Sequence, residues 1–217
     1  GFIAATSDGI PTTLGRGGSD YSATIIGRCL PADEVWIWTD VNGVMTADPR
    51  IVPDARTLER ISYAEIAELA FFGAKVLHPK TMQPVVQSGI PIRVLNSFEP
   101  QNAGTFVSSE SQDVPIIKGI TAIRNLSMVT VTGSGMLGVP GIAGRVFSAV
   151  ARSGASMLMI TQSSSEQNIC FVVRSGEAEA AVRSVERELE LELVHHDVDA
   201  VDSQDKVAII AVVGAGA

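Results

Sequence analysis

The segment Leu14-Gly15-Arg16-Gly17-Gly18-Ser19-Asp20 sets glycines, a guanidinium, a hydroxyl and a carboxylate directly ahead of an apolar, helix-like run from Tyr21. Glycine lets backbone amides approach an anion closely, and the start of a helix adds a dipole that favours negative charge. Arg16 offers a planar fork to a carboxylate or phosphate. Asp20 is placed to organise a cation or a neighbouring lysine. An ordinary loop that only caps a helix fits the same spacing, so the spacing leaves both readings open. A Walker-type phosphate loop is excluded, because no Gly-Lys-Ser/Thr follows.

A second stretch, Gly133-Ser134-Gly135-Met136-Leu137-Gly138, matches the dinucleotide pattern between a strand and a helix. That chemistry also needs an acidic residue about 20 positions on to hold the ribose. No Asp or Glu occurs between Gly138 and Glu166, so a nicotinamide dinucleotide is not expected. Val213-Gly214-Ala215-Gly216 reads as a repeat of this second stretch. Lys75 follows a helix end, where a cation commonly complements the dipole. Asp48-Pro49-Arg50 is a turn by composition, and its arginine is functional only if the loop faces a nucleotide. His78, His195 and His196 lack the spacing and carboxylate company of metal ligands, and no metal site is expected. Cys29 and Cys170 stand in separate segments and read as two reduced thiols.

The elements that position these residues alternate in type. Val35–Thr39 is a β-prone run that ends in the turn-rich Asp40-Val41-Asn42-Gly43. Ser62 and Glu65 form a capping-box pattern ahead of Ile66, Leu69 and Phe72, and Gly73 supplies the stop. A second helix is predicted from Pro79 to near Gly89, and a strand over 90–95. This alternation predicts an α/β layer with a mostly parallel sheet. The polar, irregular stretch 99–115 is the expected linker. Beyond it come a strand over 126–132, a helix over 142–153, strands over 156–162 and 169–174, and an amphipathic helix over 177–191. In that helix Ala181, Val182, Val185 and Leu189 share one side. The β-α-β-β-α order suits a ferredoxin-like α+β domain. A further strand over 206–214 resembles 128–133 and hints at a repeat.

Composition narrows the function classes. Hydrophobic residues make up 46% and charged residues 18% of the 217, the balance of a soluble globular protein and not of a disordered chain. The net charge of −8 argues against a nucleic-acid partner, because no clustered Lys/Arg surface is legible. No apolar run reaches the roughly 18–20 residues that span a bilayer, and no signal peptide opens the chain, so a cytoplasmic, reducing setting is expected. The chain starts at Gly1 and closes in an unfinished glycine turn, which reads as an internal fragment.

Three segments in order carry a family resemblance. Thr12-Thr13-Leu14-Gly15-Arg16-Gly17-Gly18-Ser19-Asp20-Tyr21-Ser22-Ala23 is similar to the signature of the aspartate kinases of the amino-acid-kinase superfamily. Trp38-Thr39-Asp40-Val41-Asn42-Gly43-Val44-Met45-Thr46-Ala47-Asp48-Pro49-Arg50 resembles the family's ATP loop. Phe72-Gly73-Ala74-Lys75-Val76-Leu77-His78-Pro79 resembles its helix-end lysine segment. The region after the linker resembles the family's ACT domains, notably in Ile160-Thr161-Gln162-Ser163-Ser164-Ser165-Glu166. The resemblance implies the C-terminal half of an amino-acid-kinase α/β sandwich over 1–113, followed over 114–217 by a ferredoxin-like ACT domain and the start of a second. It implies phosphoryl transfer from MgATP, with the Mg2+ held mainly through the nucleotide phosphates, to the side-chain carboxylate of L-aspartate.

In that reading Arg16, Gly18 and Ser19 hold aspartate, and Asp20 and Lys75 are catalytic. Thr39, Asp40, Met45, Arg50 and Lys75 contact the nucleotide, with Met45 standing where many relatives have an aromatic residue. The family's amino-terminal Lys-Phe-Gly-Gly segment is not within these 217 residues, so the isolated chain is expected to be inactive. An amino-acid effector would bind in the loop Gly135–Ala143 and the strand Ser156–Gln162, with Met136, Ile142, Ala143, Ser156 and Gln162 as contacts. Threonine is favoured over lysine, since Leu158 stands where lysine-sensing relatives carry an acid. A homo-oligomer through ACT domains is expected, and a following homoserine dehydrogenase domain stays open. The rival readings are a non-catalytic amino-acid-binding regulatory subunit and another amino-acid kinase, the latter disfavoured by the ACT-like tail.

Overall fold

The computed structural model describes residues 1–15, 17–74, 77–110, 116–162 and 167–214. They fall into two units, one of residues 1–122 with those from 210 onward, the other of residues 123–209.

The first unit opens with a small antiparallel hairpin, β1 (Ile3–Ala5) and β2 (Pro11–Thr13), that leads into helix α1 (Gly18–Cys29). There follow β3 (Val35–Thr39), β4 (Arg60–Ser62), α2 (Tyr63–Phe71), α3 (Pro79–Val86), β5 (Ile92–Asn96) and β6 (Thr105–Ser108). The sheet order is β3-β5-β6-β4. The β3–β5 and β4–β6 pairs are parallel and β5–β6 is antiparallel. Buried Val35, Ile37, Ile92, Val94 and Val107 from the strands form one core with Ile66 and Leu69 of α2 and Met82 and Val85 of α3.

Local chemistry explains the helix starts. Ser62 Oγ accepts from the Glu65 N–H at 3.2 Å, and Glu65 Oε2 accepts from the Ser62 N–H at 2.8 Å. This reciprocal box satisfies amides that the first turn would otherwise orphan. Pro79 occupies the first turn of α3, where its missing N–H costs nothing, and His78 Nδ1 accepts from the Lys80 N–H at 3.2 Å.

The face of the sheet away from this core carries a cross-strand row. Trp36 pairs with Arg93, Arg93 with Phe106, and Phe106 with Arg60. The Arg60 and Arg93 guanidiniums lie 4.9 and 5.0 Å from the Phe106 ring centroid, two cation–π contacts on one ring. Glu34 joins the row by accepting from Arg93 Nε at 2.7 Å and from Trp36 Nε1 at 3.0 Å.

The composition of 99–115 predicts a linker, but within it Thr105–Ser108 is an inner strand, flanked by β5 and β4. Polar neighbours mask a four-residue run whose alternation buries Thr105 and Val107 and turns Phe106 outward. The Thr105 hydroxyl donates to the Leu58 carbonyl at 2.6 Å and accepts from the Val44 N–H at 2.8 Å.

The second unit contains most of β7 (Gly119–Thr132), then α4 (Ile142–Arg152), β8 (Met159–Gln162), β9 (Asn168–Arg174), α5 (Ser175–Glu188), α6 (Glu190–Val194) and most of β10 (Ala200–Val213). The sheet order β10-β7-β9-β8, with β7–β9 and β8–β9 antiparallel, is the ferredoxin-like arrangement. Val129, Val131, Ile169, Phe171 and Val173 pack against Val146, Ala149 and Val150 of α4 and Ala181 and Val185 of α5. β10 begins at Ala200, six residues before the expected 206, and lies beside β7 in this sheet. Arg145 of α4 clamps the helices, with Nε on Glu188 Oε1 at 3.1 Å and its other nitrogens on the Glu192 carboxylate and the Glu188 carbonyl. The clamp holds both carboxyls below their ordinary range, Arg145 being the largest cause for each.

Thr105→Val keeps the shape of the side chain but leaves a buried N–H and C=O without partners. The expected cost is about 2–3 kcal/mol, read as a lower urea midpoint, with Thr105→Ser losing clearly less. Equal losses in the two variants would mean that the methyl, not the hydroxyl, carries the effect.

Candidate functional site

Gly15 and Gly17 both take left-handed backbone, φ +77° and +73°, and Gly17 is the N-cap of α1. A side chain at Gly17 would be strained by that backbone, and its Cβ would press on Thr81 at 3.1 Å. At Gly18, which begins the helix, an added Cβ would meet Phe2 Cβ at 2.7 Å and Leu14 Cβ at 2.9 Å. The turn is therefore wedged between the hairpin and the start of α3, and the amides of the first turn of α1 are held in one arrangement. The Thr24 hydroxyl ties α1 to α3 through the Thr81 carbonyl at 2.5 Å.

Gly18, Ser19 and Asp20 are thus brought together in that first turn. Ser19 Oγ donates to Asp20 Oδ1 at 3.4 Å. Burial pushes the Asp20 carboxyl above its ordinary range, and the Ser19 hydrogen bond pulls it partly back. Arg16 and Lys75, expected to hold aspartate and to catalyse, lie outside the described residues.

The nucleotide-loop candidates follow the end of β3. Thr39 Oγ1 donates to Asp40 Oδ1 at 3.1 Å, and the Thr39 carbonyl accepts from the Ser97 N–H at 2.8 Å. Loops at the carboxyl ends of parallel strands are the usual place for ligands in such sheets. Beyond them Met45 bridges to Thr57, with Thr46 N–H on Arg56 O and Leu58 N–H on Val44 O, both at 2.8 Å. Arg50 stands on the exposed tip of this excursion with Nη2 on Asp48 Oδ2 at 2.7 Å and Nε on Oδ1 at 3.0 Å. That pairing occupies one edge of the guanidinium and leaves the Nη1 hydrogens able to donate to a phosphate.

Sequence reading missed the polar brace beneath this loop. Asn96 Nδ2 donates to Asn42 Oδ1 at 2.6 Å, and Asn42 Nδ2 donates to Glu99 Oε2 at 3.0 Å. The available signal was the polar residue Asn96 closing an otherwise apolar-patterned strand. Among the described residues no group of three or more His, Cys, Asp or Glu side chains is placed to hold a metal ion.

In the second unit a cavity of approximately 450 Å³ is lined by Met136, Ile142, Ala143 and Gln162, together with Ile169 and the turn Gly138–Gly141. Four of the expected effector contacts therefore meet. Ser156 does not line the cavity: it precedes β8, and its N–H donates to Glu177 Oε2 at 3.2 Å at the start of α5. Residues 163–166 lie outside the described residues. Two glycines of the dinucleotide-like stretch have a packing explanation, whereas Gly138 has open space and left-handed backbone, φ +70°. A Cβ at Gly133 would come 2.4 Å from Asp197 O, and one at Gly135 would come 2.5 Å from Asp197 Cα.

Comparison with known proteins agrees with this division. Residues 1–96 match the amino acid kinase family and residues 129–189 an ACT domain. The whole chain is 45% identical to the bifunctional aspartokinase/homoserine dehydrogenase of Haemophilus influenzae and spans 27% of its length. Over 163 residues, 75% of this chain, it is 44% identical to lysine-sensitive aspartokinase 3 of Escherichia coli, spanning 36% of that protein. Its fold superposes on the aspartate kinase of Clostridium acetobutylicum with a TM-score of 0.87 and 30% identity, covering 100% of this chain and 49% of that one. For E. coli aspartokinase III in complex with lysine and aspartate the TM-score is 0.76, the identity 37%, and the coverage 99% and 47%.

The raised Asp20 carboxyl makes a stability prediction. A folded-state pKa above the unfolded value favours the fold while the group is protonated and loses that contribution as pH rises through it. Asp20→Asn is therefore expected to raise the melting temperature at pH 7, with the gain shrinking as pH falls toward the ordinary aspartate range. A pH-independent difference in melting scans contradicts this.

Proposed function

Residues 1–96 belong to the amino acid kinase family and residues 129–189 are an ACT domain, and on that premise we propose that this chain is the nucleotide-facing and sensing part of an aspartate kinase. The reaction moves the γ-phosphoryl group of MgATP to the side-chain carboxylate of L-aspartate. A carboxylate oxygen forms the new P–O bond as the bond to the ADP oxygen breaks. Such a transfer needs positioning and charge neutralisation more than covalent help.

The observation that carries this reading is the start of α1. Two left-handed glycines aim a helix N-terminus, and the half-buried Asp20 lies in its first turn. Those amides and Arg16 would hold the aspartate carboxylates, with Gly18 leaving room and Ser19 orienting Asp20. Asp20 would fix Lys75, whose ammonium would meet charge developing on the transferred phosphoryl group. Thr39, Asp40 and Met45 would seat the nucleotide, and Arg50, held by Asp48 on one edge, would donate to its phosphates from the other.

For the ACT domain we propose an amino-acid effector in the cavity at Met136–Ala143 and Gln162, with threonine preferred to lysine. Among the described residues the lining offers apolar groups and the Gln162 amide but no charged side chain. A lysine ammonium there would lack a partner, whereas a threonine hydroxyl can bond the amide. The edge strand β8, with Met159 and Ile160 exposed, supports subunit pairing through this domain. The cytoplasm suits such an enzyme.

The full-length protein is expected to form aspartyl hydroxamate from aspartate, ATP and hydroxylamine, with threonine inhibiting more strongly than lysine. Gln162→Ala is expected to raise the half-inhibitory threonine concentration roughly tenfold, the loss of one good hydrogen bond. The isolated 217 residues are expected to show no turnover. Full-length protein that binds threonine but makes no hydroxamate is instead a regulatory subunit.

A further inference from the structure

We infer that the ACT unit holds a second small-molecule site, for an oxyanion of charge two or more, in the groove between the end of α4 and the later half of α5. The groove has a volume of approximately 380 Å³ and lies apart from the effector cavity, with which it shares no lining residue. Ala180, Arg183, Ser184 and Arg187 fall at positions i, i+3, i+4 and i+7 of α5 and form one stripe. Arg152, in the last turn of α4, lines the same groove.

The charge balance is what needs an explanation. The chain carries 24 acidic against 16 basic residues, yet this groove is lined by three guanidiniums and one carboxylate, that of Glu188. Glu188 is already divided between Arg145 and Arg152. Arg183 has only an exposed partner one turn back, Glu179. The Arg187 guanidinium makes no hydrogen bond or ion pair with the described residues. Arg183 and Arg187, one turn apart on the same face, repel each other unless an anion lies between them.

A plainer account is that the arginines complement helix dipoles. It covers Arg152 and Arg187, which sit in last turns, but not Arg183, a full turn earlier. The Ser184 hydroxyl donates to the Ala149 carbonyl at 2.7 Å, so it pins α5 to α4 along the groove and leaves donation to the arginines. Guanidinium forks suit the bidentate geometry of phosphate and carboxylate groups, and Ala180 leaves space above them. The ligand class is thus a small phosphate ester or polycarboxylate. Since α4 also supplies Ile142 and Ala143 to the effector cavity, one helix touches both sites.

The test is calorimetric titration of the full-length protein with pyrophosphate and with citrate, with a non-hydrolysable ATP analogue saturating the nucleotide site. Wild type is expected to bind at least one of the two, and Arg183→Gln/Arg187→Gln to bind it at least tenfold more weakly, the loss of about one charge-assisted hydrogen bond. Circular dichroism and threonine inhibition of the variant should be unchanged. Absence of binding, equal affinity in the variant, or binding of chloride with the same affinity (an adventitious ion only) overturns the proposal. The comparison reads binding in the groove and stands whether or not the kinase assay shows turnover.

Discussion

The Thr105 hydroxyl is the joint on which the candidate nucleotide side of the first unit depends. It is wholly buried and bonds two chain segments, the Val44 N–H at one foot of the 40–58 excursion and the Leu58 carbonyl at the other. The approach is so close that a Cβ at Gly43 would lie 2.3 Å from Thr105 Oγ1. Gly104 plays the matching part on the other side, with left-handed backbone and room for a Cβ only 2.0 Å from the Val94 carbonyl. A long loop pays conformational entropy along its whole length unless its ends are fixed. Here the chain at Val44 and at Leu58 is fixed to one side chain, so that Met45 and Arg50 between them are presented by a tied loop.

The same joint shows what sequence could and could not reveal. The capping box at Ser62 and Glu65, the proline start of α3 and the apolar strand β3 were legible because each rests on residues within one turn or one strand. β6 was not, because its strand character comes from partners outside its own run, the distant Arg60–Ser62 on one side and Ile92–Val94 on the other. The polar residues around it fitted a linker equally well. The site divided along the same line. The α1 turn was legible from its glycines, whereas the Asn42–Asn96–Glu99 brace joins residues more than 50 positions apart. Ser156 was misplaced with the cavity because β8 starts three residues later than its apolar run suggested.

In the ACT unit, side-chain absence and side-chain excess both have tertiary causes. Gly133 and Gly135 carry the spacing of a dinucleotide motif, yet they are small because the chain at Asp197 and Val198 runs against them. Arg145 does the opposite: its guanidinium reaches two carboxylates and a carbonyl at the α5–α6 corner. Together they fix both ends of the segment that lines the cavity at Met136–Ala143, the Met136 turn at one end and α4 at the other. A cavity bounded this way is largely formed before any ligand enters, which lowers the ordering cost of binding.

The aromatic row across the first sheet has an optical consequence. The two tryptophans of the chain, Trp36 and Trp38, are neighbours on β3, with ring centroids 6.2 Å apart, and Trp38 directly precedes Thr39. Both are about half exposed, and Trp36 is bonded to Glu34, which also holds Arg93. All indole emission from these 217 residues therefore originates on one strand beside the candidate nucleotide loop. The second unit is dark at those wavelengths, so the chain carries a built-in fluorophore that watches the first unit alone.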